Sequence, residues 1–321
     1  MKHIILLMIL LTSIAFASEF NDTKKLAEQG DAEAQNNLGV MYNYGNGVPE
    51  NYEAAVMWYT KAAEQGYDKA QYNLGLGYQD GTGVPQNDKI AAMWYTKAAE
   101  QGYVGAQYNL GVMYANGTGV SQNDKTAIMW YRKAAEQEYA NAQSNLAFMY
   151  SNGRGIPEND SEAVKWNRKA AEQGLDSAQF NLGSSYANGK GVPQNDKISA
   201  MWYTKAAEQG FAAAQYNLGA MYDDGRGVLE NKETAVMWLT KAAEQGNAGA
   251  QYNLGVMYAN GTGVSQNDIK AHVWWSMAKT NGSESAKKNF KVLKTRMTKD
   301  QIAQAQELAA KCFESNYKDC D

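Results

Sequence analysis

The sequence predicts an all-α solenoid of about seven helix-turn-helix repeats, and three observations predict it. The dipeptide Ala-Gln recurs at Ala34, Ala70, Ala106, Ala142, Ala178, Ala214 and Ala250, a step of 36 residues every time. Trp58, Trp94, Trp130, Trp166, Trp202, Trp238 and Trp274 keep that step, as do Tyr42, Tyr78, Tyr114, Tyr150, Tyr186, Tyr222 and Tyr258. Within each period the apolar positions fall at i, i+4 and i+8, the spacing of one helix face. Seven gapless copies of a unit too small to bury its own apolar stripe imply a stacked array.

Residues 1–17 read as a secretory signal. Met1-Lys2-His3 makes a positive start, Ile4 to Ile14 is an apolar run broken only by Thr12 and Ser13, and Ala15-Phe16-Ala17 has the small-x-small pattern of a cleavage site. The expected protein is cut after Ala17 and is periplasmic or secreted. No later stretch approaches the roughly 20 apolar residues of a membrane span, so no transmembrane segment is expected. Residues 18–30 form an N-terminal half-repeat, because Lys24 to Gly30 has the form of a second-helix tail.

The seven repeats occupy residues 31–282. In the first helix of a unit Ala34, Leu38 and Tyr42 share one face. A Gly-x-Gly turn such as Gly45-Asn46-Gly47 ends it, since glycine takes the left-handed conformation that closes a helix. An Asn-Asp pair or its variant then supplies the N-cap of the second helix, where Ala54, Trp58 and Ala62 lie on one face. That helix stops at Glu-Gln-Gly, with the glycine at Gly66, Gly102, Gly174, Gly210, Gly246 and Gly282 as C-cap; Glu138 stands in that column in the third unit. A left-handed glutamate there is expected to cost on the order of 1 kcal/mol. The column Gly39, Gly75, Gly111, Ala147, Gly183, Gly219 and Gly255 keeps the helices close, and the tryptophans belong to the core. Residues 283–321 hold a degenerate eighth first helix opening near Ala286, then a capping helix and a cysteine-containing tail. Thr298-Lys299-Asp300-Gln301 is a capping-box pattern that starts the final helix, whose Ile302, Ala305, Leu308 and Ala309 are expected to cover the end of the stack.

The unit Ala-Gln-x-Asn-Leu-Gly-x-x-Tyr-x-x-Gly-x-Gly-Val, followed by Ala-x-x-x-Trp-x-x-x-Ala-Ala-Glu-Gln-Gly, resembles the Sel-1-like repeat, a relative of the tetratricopeptide repeat. The resemblance covers about residues 24–290. It implies a right-handed α/α superhelix acting as an adaptor between proteins, in a family whose bacterial members are often exported. Internal copying is visible as well: Tyr108 to Asp124 is identical to Tyr252 to Asp268, four periods apart.

Little in the chain suggests chemistry. Without Lys2 it carries 29 basic against 34 acidic residues, and no basic run exceeds a Lys-Lys pair. That balance argues against nucleic acid or anionic lipid as partner. His272 is the one histidine after the signal, in a column that elsewhere holds Val56, Ala92, Ile128 or Val236, and reads as a surface or packing residue. Cys312 and Cys320, the two cysteines, point to a disulfide stapling the tail rather than to a reactive thiol or metal site. Asp223-Asp224 reads as a pair of exposed, unpaired carboxylates at a helix end. No catalytic residue, metal or cofactor is expected. Some cysteine-rich relatives are described as binding or hydrolysing β-lactams; they carry a disulfide within each repeat, which this chain lacks. Ser-x-x-Lys occurs at Ser276, Ser285 and Ser315 with no Ser-Asp-Asn or Lys-Thr-Gly partner.

One polar column has no evident core duty. Asn37, Asn73, Asn109, Asn145, Asn181, Asn217 and Asn253 precede the buried leucine in each first helix. Asparagine is a mediocre helix former, so seven uses need a reason. Beside it run Asn36, Tyr72, Tyr108, Ser144, Phe180, Tyr216 and Tyr252. By the tetratricopeptide resemblance the first helices line a concave groove, where these amides and rings would grip a peptide. The alternative is a structural ladder of asparagines bonded to the backbone of the neighbouring repeat. Ser144 and Ser184-Ser185 interrupt the pattern, which makes repeats four and five the expected determinants of specificity. The function expected is therefore an exported protein- or peptide-binding adaptor, with a β-lactam-directed envelope enzyme or a structural envelope spacer as the alternatives.

Overall fold

The computed structural model describes residues 18–320, so the signal expected at 1–17 lies outside the described residues. Every regular element among the described residues is a helix. The chain divides into two compact units, one running to Glu158 and the other starting at Asn159.

The first unit contains α1 (18–28), α2 (Ala32–Tyr44), α3 (Tyr52–Glu64), α4 (Asp68–Asp80), α5 (Asp88–Glu100), α6 (Val104–Asn116), α7 (Asp124–Glu136) and α8 (Ala140–Ser151). Local chemistry sets each boundary. Asn51, Asn87 and Asn123 are extended N-caps whose side chains accept from the N–H three residues on, satisfying a donor that the first helical turn leaves free. The first helices α2, α4 and α6 end on left-handed glycines, Gly81 at φ 72° among them, while α8 ends on Asn152. The second glycine of that turn is fixed by contact as well as conformation. Gly83 has φ 73°, and a Cβ on it would lie 2.3 Å from the carbonyl oxygen of Tyr52, at the start of the previous second helix.

Packing follows the columns. Leu74 and Leu110 are buried between helices. Trp94 reaches back to Ala55, Tyr59 and Ala63 of the preceding repeat while packing with Leu74 of its own, and Trp130 does the same with Ala91 and Tyr95 of the preceding repeat and Leu110 of its own. Burying such a ring contributes about 2–3 kcal/mol, which makes the tryptophan column the main apolar bond between repeats. Lys97 covers the outer face of Trp94 with its ammonium 4.2 Å from the ring centre. The glycine column earns its place at Gly75, where a Cβ would stand 2.6 Å from the Tyr95 ring.

A buried polar ladder runs through the same layer. Gln71 and Gln107 donate to the carbonyls of Ala63 and Ala99 at 3.1 and 3.2 Å. Their own Oε1 atoms accept from Gln101 and Gln137 of the following second helix, both at 2.8 Å. Gln35 and Gln65 repeat the arrangement beside α1. Each buried amide thus has a donor and an acceptor partner, as burial requires. Glu138 is left-handed at φ 63°, taking the backbone conformation that glycine supplies in the other copies.

The second unit contains α9 (Asp160–Glu172), α10 (Asp176–Asn188), α11 (Asp196–Glu208), α12 (Ala212–Asp224), α13 (Lys232–Ala243), α14 (Ala248–Asn260), α15 (Asp268–Thr280), α16 (Glu284–Lys294) and α17 (Lys299–Glu314). It repeats the same joints, with Gln209 on Gln179, Gln245 on Gln215 and, in the last rung, Asn281 on Gln251. Trp275 replaces the tyrosine of that column and donates its indole N–H to the Tyr252 carbonyl at 3.0 Å. Thr298 and Gln301 form the reciprocal capping box that starts α17. This helix packs on α15 and buries Ala305, Ala309 and Cys312. Cys312 is bonded to Cys320, and both lie against the cluster containing Trp274 and Met277. The Tyr317 hydroxyl closes the tail onto Asn281 at 3.2 Å.

Two details differ from expectation. Asp223 and Asp224 are not unpaired: Lys232 meets Asp223 at 3.0 Å and Arg226 meets Asp224 at 3.8 Å, because the turn brings the next helix start back beside the carboxylates. The Asp223 side chain accordingly raises the Lys232 pKa. In α3 the capping residue is the glutamine, Gln65, and Gly66 follows it with φ 94°.

Candidate functional site

The asparagine column sits at the edge of the first helices because its neighbour, the leucine, points to the core. A step of one residue turns a side chain by about 100°, from the buried layer to its margin. Asn73, Asn109 and Asn145 are half-buried there, as are Asn217 and Asn253 in the second unit, while Asn37 and Asn181 are exposed.

The partners of these amides are side chains. Asn73 donates to Oδ1 of Asn36 at 3.0 Å, and Asn36 donates to Asn37 at 3.3 Å. Asn109 is the hydrogen-bonding neighbour of the Tyr72 and Tyr95 hydroxyls, and Asn145 has the same relation to Tyr108 and Tyr131. In the second unit Asn217 neighbours the Tyr203 hydroxyl. Asn289, one period beyond the column, donates to the Tyr252 hydroxyl at 3.2 Å. Burial pushes the Tyr131 hydroxyl up to about 12 and raises Tyr95 as well, while the asparagine contacts pull the other way. Raised in this way, the Tyr95 and Tyr131 hydroxyls stay protonated at neutral pH and act as uncharged donors and acceptors.

The rings expected on the floor are partly consumed by packing. Tyr72 lies 4.8 Å from Tyr103 and Tyr108 lies 5.1 Å from Tyr139, centre to centre. Phe180 contacts Phe211 at 5.1 Å, and Tyr216 packs within 3.1 Å of where a Cβ on Gly249 would stand. Asn109 and Asn145 therefore each meet a tyrosine of the preceding copy while Asn73 meets Asn36, and these contacts brace the stack as well as border its surface.

What opens beside them is a recurring cleft in the first unit. A cavity of about 640 Å³ is lined by Val40, Tyr44, Tyr59, Asn73, Leu76 and Asp80. Two repeats on, one of about 250 Å³ is lined by the matching Val112, Asn116, Tyr131, Asn145 and Phe148, together with Arg154. A third, of about 260 Å³ beside α1, contains Asn37, Val40 and Met41. Arg154 is fixed by Asp124 at 2.6 Å and by the Ala115 carbonyl at 3.0 Å. Sequence reasoning missed the column Val40, Leu76, Val112 and Phe148, which supplies the apolar wall; its signal was an apolar position two residues past the buried leucine.

The serines of the Ser-x-x-Lys matches are engaged or isolated. Ser276 Oγ donates to the His272 carbonyl at 2.8 Å, and Ser315 Oγ donates to the Cys312 carbonyl at 3.0 Å while accepting from the N–H groups of Lys318 and Asp319. Ser285 is exposed. His272 is buried against Phe290 at 4.4 Å between ring centres, and burial, followed by the charge of Lys294, lowers its pKa to about 4. Among the described residues no three His, Cys, Asp or Glu converge as metal ligands, and no helix is long and apolar enough to cross a membrane.

Seven consecutive stretches, 32–67, 68–103, 104–139, 140–175, 176–211, 212–247 and 248–283, match the Sel1 repeat. The chain is similar to a Sel1 repeat protein from Oxalobacter formigenes of known crystal structure, with 36% identity over 88% of this chain and 81% of that one, and a TM-score of 0.70. It is similar too to a protective antigen present in uropathogenic Escherichia coli strains and displaying an SLR fold, with 32% identity over 94% of this chain and 81% of that one, and a TM-score of 0.48. No curated protein matches the chain significantly.

Proposed function

The chain belongs to the Sel1 repeat family, and from that premise we propose that it is an exported adaptor that binds a protein or peptide along its first-helix clefts. Sel1-repeat proteins are generally protein-interaction scaffolds, and the fold is typically non-catalytic. The observation that carries the reading is the recurrence of one cleft: Asn37, Asn73 and Asn145 each border a cavity beside the same apolar column. An extended peptide presents one donor and one acceptor per residue. Amides and protonated phenols can satisfy that backbone, while Leu76, Val112 and Phe148 receive apolar side chains. Each cleft has a single charged residue in its lining, Asp80, Arg154 or Glu19, which favours recognition by shape and backbone over attraction to a charged ligand.

The test is affinity capture from envelope extract with wild type, Phe148→Ser and Leu229→Ser. Phe148 is 52% exposed in a cleft and Leu229 is 90% exposed away from it, so neither change removes a core contact. The expected partner is held by wild type and Leu229→Ser and lost by Phe148→Ser at an unchanged thermal midpoint. A partner kept by all three moves the site off the clefts, and capture by none sinks the adaptor reading. Export is tested separately, by whether the protein recovered from cells begins at Ser18.

A further inference from the structure

Six of the thirteen residues 287–299 are basic and none is acidic, although no two neighbours beyond Lys287-Lys288 are both lysine. Helix α16 turns this spacing into a surface. Lys287, Lys291 and Lys294 follow one another at helical steps, Lys288 lies beside Lys291, and Lys279 joins them from α15. Between them is a depression of about 360 Å³ lined by Lys279, Glu284, Lys287, Lys288, Phe290 and Lys291. Phe290 forms its aromatic side, with the Lys294 and Lys279 ammonium groups 4.5 and 5.6 Å from the ring centre. Glu284 is the single carboxylate and pairs with Lys287. Arg296 is held elsewhere, by Asp268 at 2.6 Å and the Ala259 carbonyl at 3.0 Å. Lys288 and Lys291 are exposed and make no ion pair among the described residues.

We propose that this α15–α16 depression docks a short acidic segment of a partner protein, its carboxylates meeting Lys279, Lys288 and Lys291 and an apolar side chain lying over Phe290. Five ammonium groups around one carboxylate repel one another, and a bound acidic segment relieves that repulsion. The surroundings select a short ligand. The chain as a whole has a net charge of −4, and residues 300–321 carry five acids against two bases. The positive field is an island, and charges beyond about 8 Å are screened at physiological salt. A bilayer or a long nucleic acid would bring its remaining charge against the acidic surroundings, whereas a segment of a few residues engages the island alone. Helix α16 also has little apolar surface to insert into lipid, since Ala286 and Leu293 are buried in the fold and Val292 is its one largely exposed large apolar side chain. The proposal concerns a different surface from the first-helix clefts and does not rest on them.

The experiment titrates the full chain with a labelled hexaglutamate peptide carrying a central leucine, with phosphatidylglycerol vesicles and inorganic phosphate as parallel arms. The expected result is saturable peptide binding that weakens with salt, and weakens at least about tenfold in Lys288→Glu/Lys291→Glu. Lys288→Gln/Lys291→Gln is expected to fall between the two, and the control Lys125→Glu/Lys197→Glu to match wild type. All four altered lysines are exposed, so circular dichroism and thermal midpoints should coincide. Equal peptide binding by the charge-reversed variant overturns the proposal. So does vesicle capture without peptide binding, which would make the surface a lipid site. Displacement of the peptide by phosphate at equal concentration would reduce it to a counter-ion sink and overturns it too.

Discussion

The side-chain amide of Gln137 donates to Oε1 of Gln107 at 2.8 Å, while Gln107 donates to the carbonyl of Ala99 at 3.2 Å. Gln107 is 4% exposed, so this relay joins α5, α6 and α7 inside the stack. Gln107→Leu keeps the volume and removes both bonds, with an expected loss of about 1 kcal/mol. Gln107→Glu places an acceptor against the Ala99 carbonyl and is expected to cost several times more. Denaturant titration of the two variants checks the order, and a glutamate as well tolerated as leucine would refute the relay. Amide exchange should quicken mainly in the flanking helices, because a repeat touches only its neighbours.

Glu138→Gly is expected to stabilise the protein by about 1 kcal/mol, since Glu138 holds φ 63° and glycine adopts that backbone without strain. The entropy lost by the more flexible unfolded chain offsets part of the gain. A thermal midpoint at or below wild type would show that the glutamate side chain contributes more than its strain removes.

His272 makes stability fall in acid. Its folded pKa is about 4 against 6.5 for the free side chain, lowered first by burial and then by Lys294. Lys279, above Phe290, adds positive charge on the same side. The unfolded chain therefore takes up the proton first. This part of the stability is complete above about pH 6.5 and is lost as pH falls towards 4, by up to about 3 kcal/mol. His272→Phe is expected to flatten that part of the profile. Parallel midpoints for both proteins between about pH 7 and pH 5 would remove histidine as the cause.

Reduction of Cys312–Cys320, or Cys312→Ser/Cys320→Ser, is expected to cost about 2.5 kcal/mol locally, the loop entropy of so short a closure. The loss should appear as faster amide exchange in α17 and in the tail that carries Tyr317 onto Asn281. Exchange in α2 and α3 should not change.

What was legible in the chain was local or periodic. Asn51, Gly81 and the Thr298–Gln301 box announce their boundaries because each cap forms within a few residues. Tertiary partners were harder to read. The asparagine column looked for backbone and found side chains, Asn73 meeting Asn36 at a distance of 37 residues, a relation that only the packing of two first helices creates. Gln71 reads as an ordinary polar helix residue, yet it is 4% exposed and bonded at both ends. Asp223 looked solvated because Lys232 lies nine residues on, across a turn whose geometry sets the pairing. The cleft wall of Leu76 and Phe148 shares apolar character without a fixed identity, so no repeated letter marks it.

The glutamine relay also bears on inheritance. Within each unit the second helices deliver an amide to the same waiting oxygen, as Gln101 does to Gln71, Gln245 to Gln215 and Asn281 to Gln251. Recombination between near-identical stretches such as Tyr108 to Asp124 and Tyr252 to Asp268 therefore joins ends that already fit. Adding or deleting whole copies by unequal crossing-over demands no compensating change inside. Copy number becomes a quantity that a lineage can adjust freely, lengthening or shortening the molecule's reach while leaving its interior chemistry untouched.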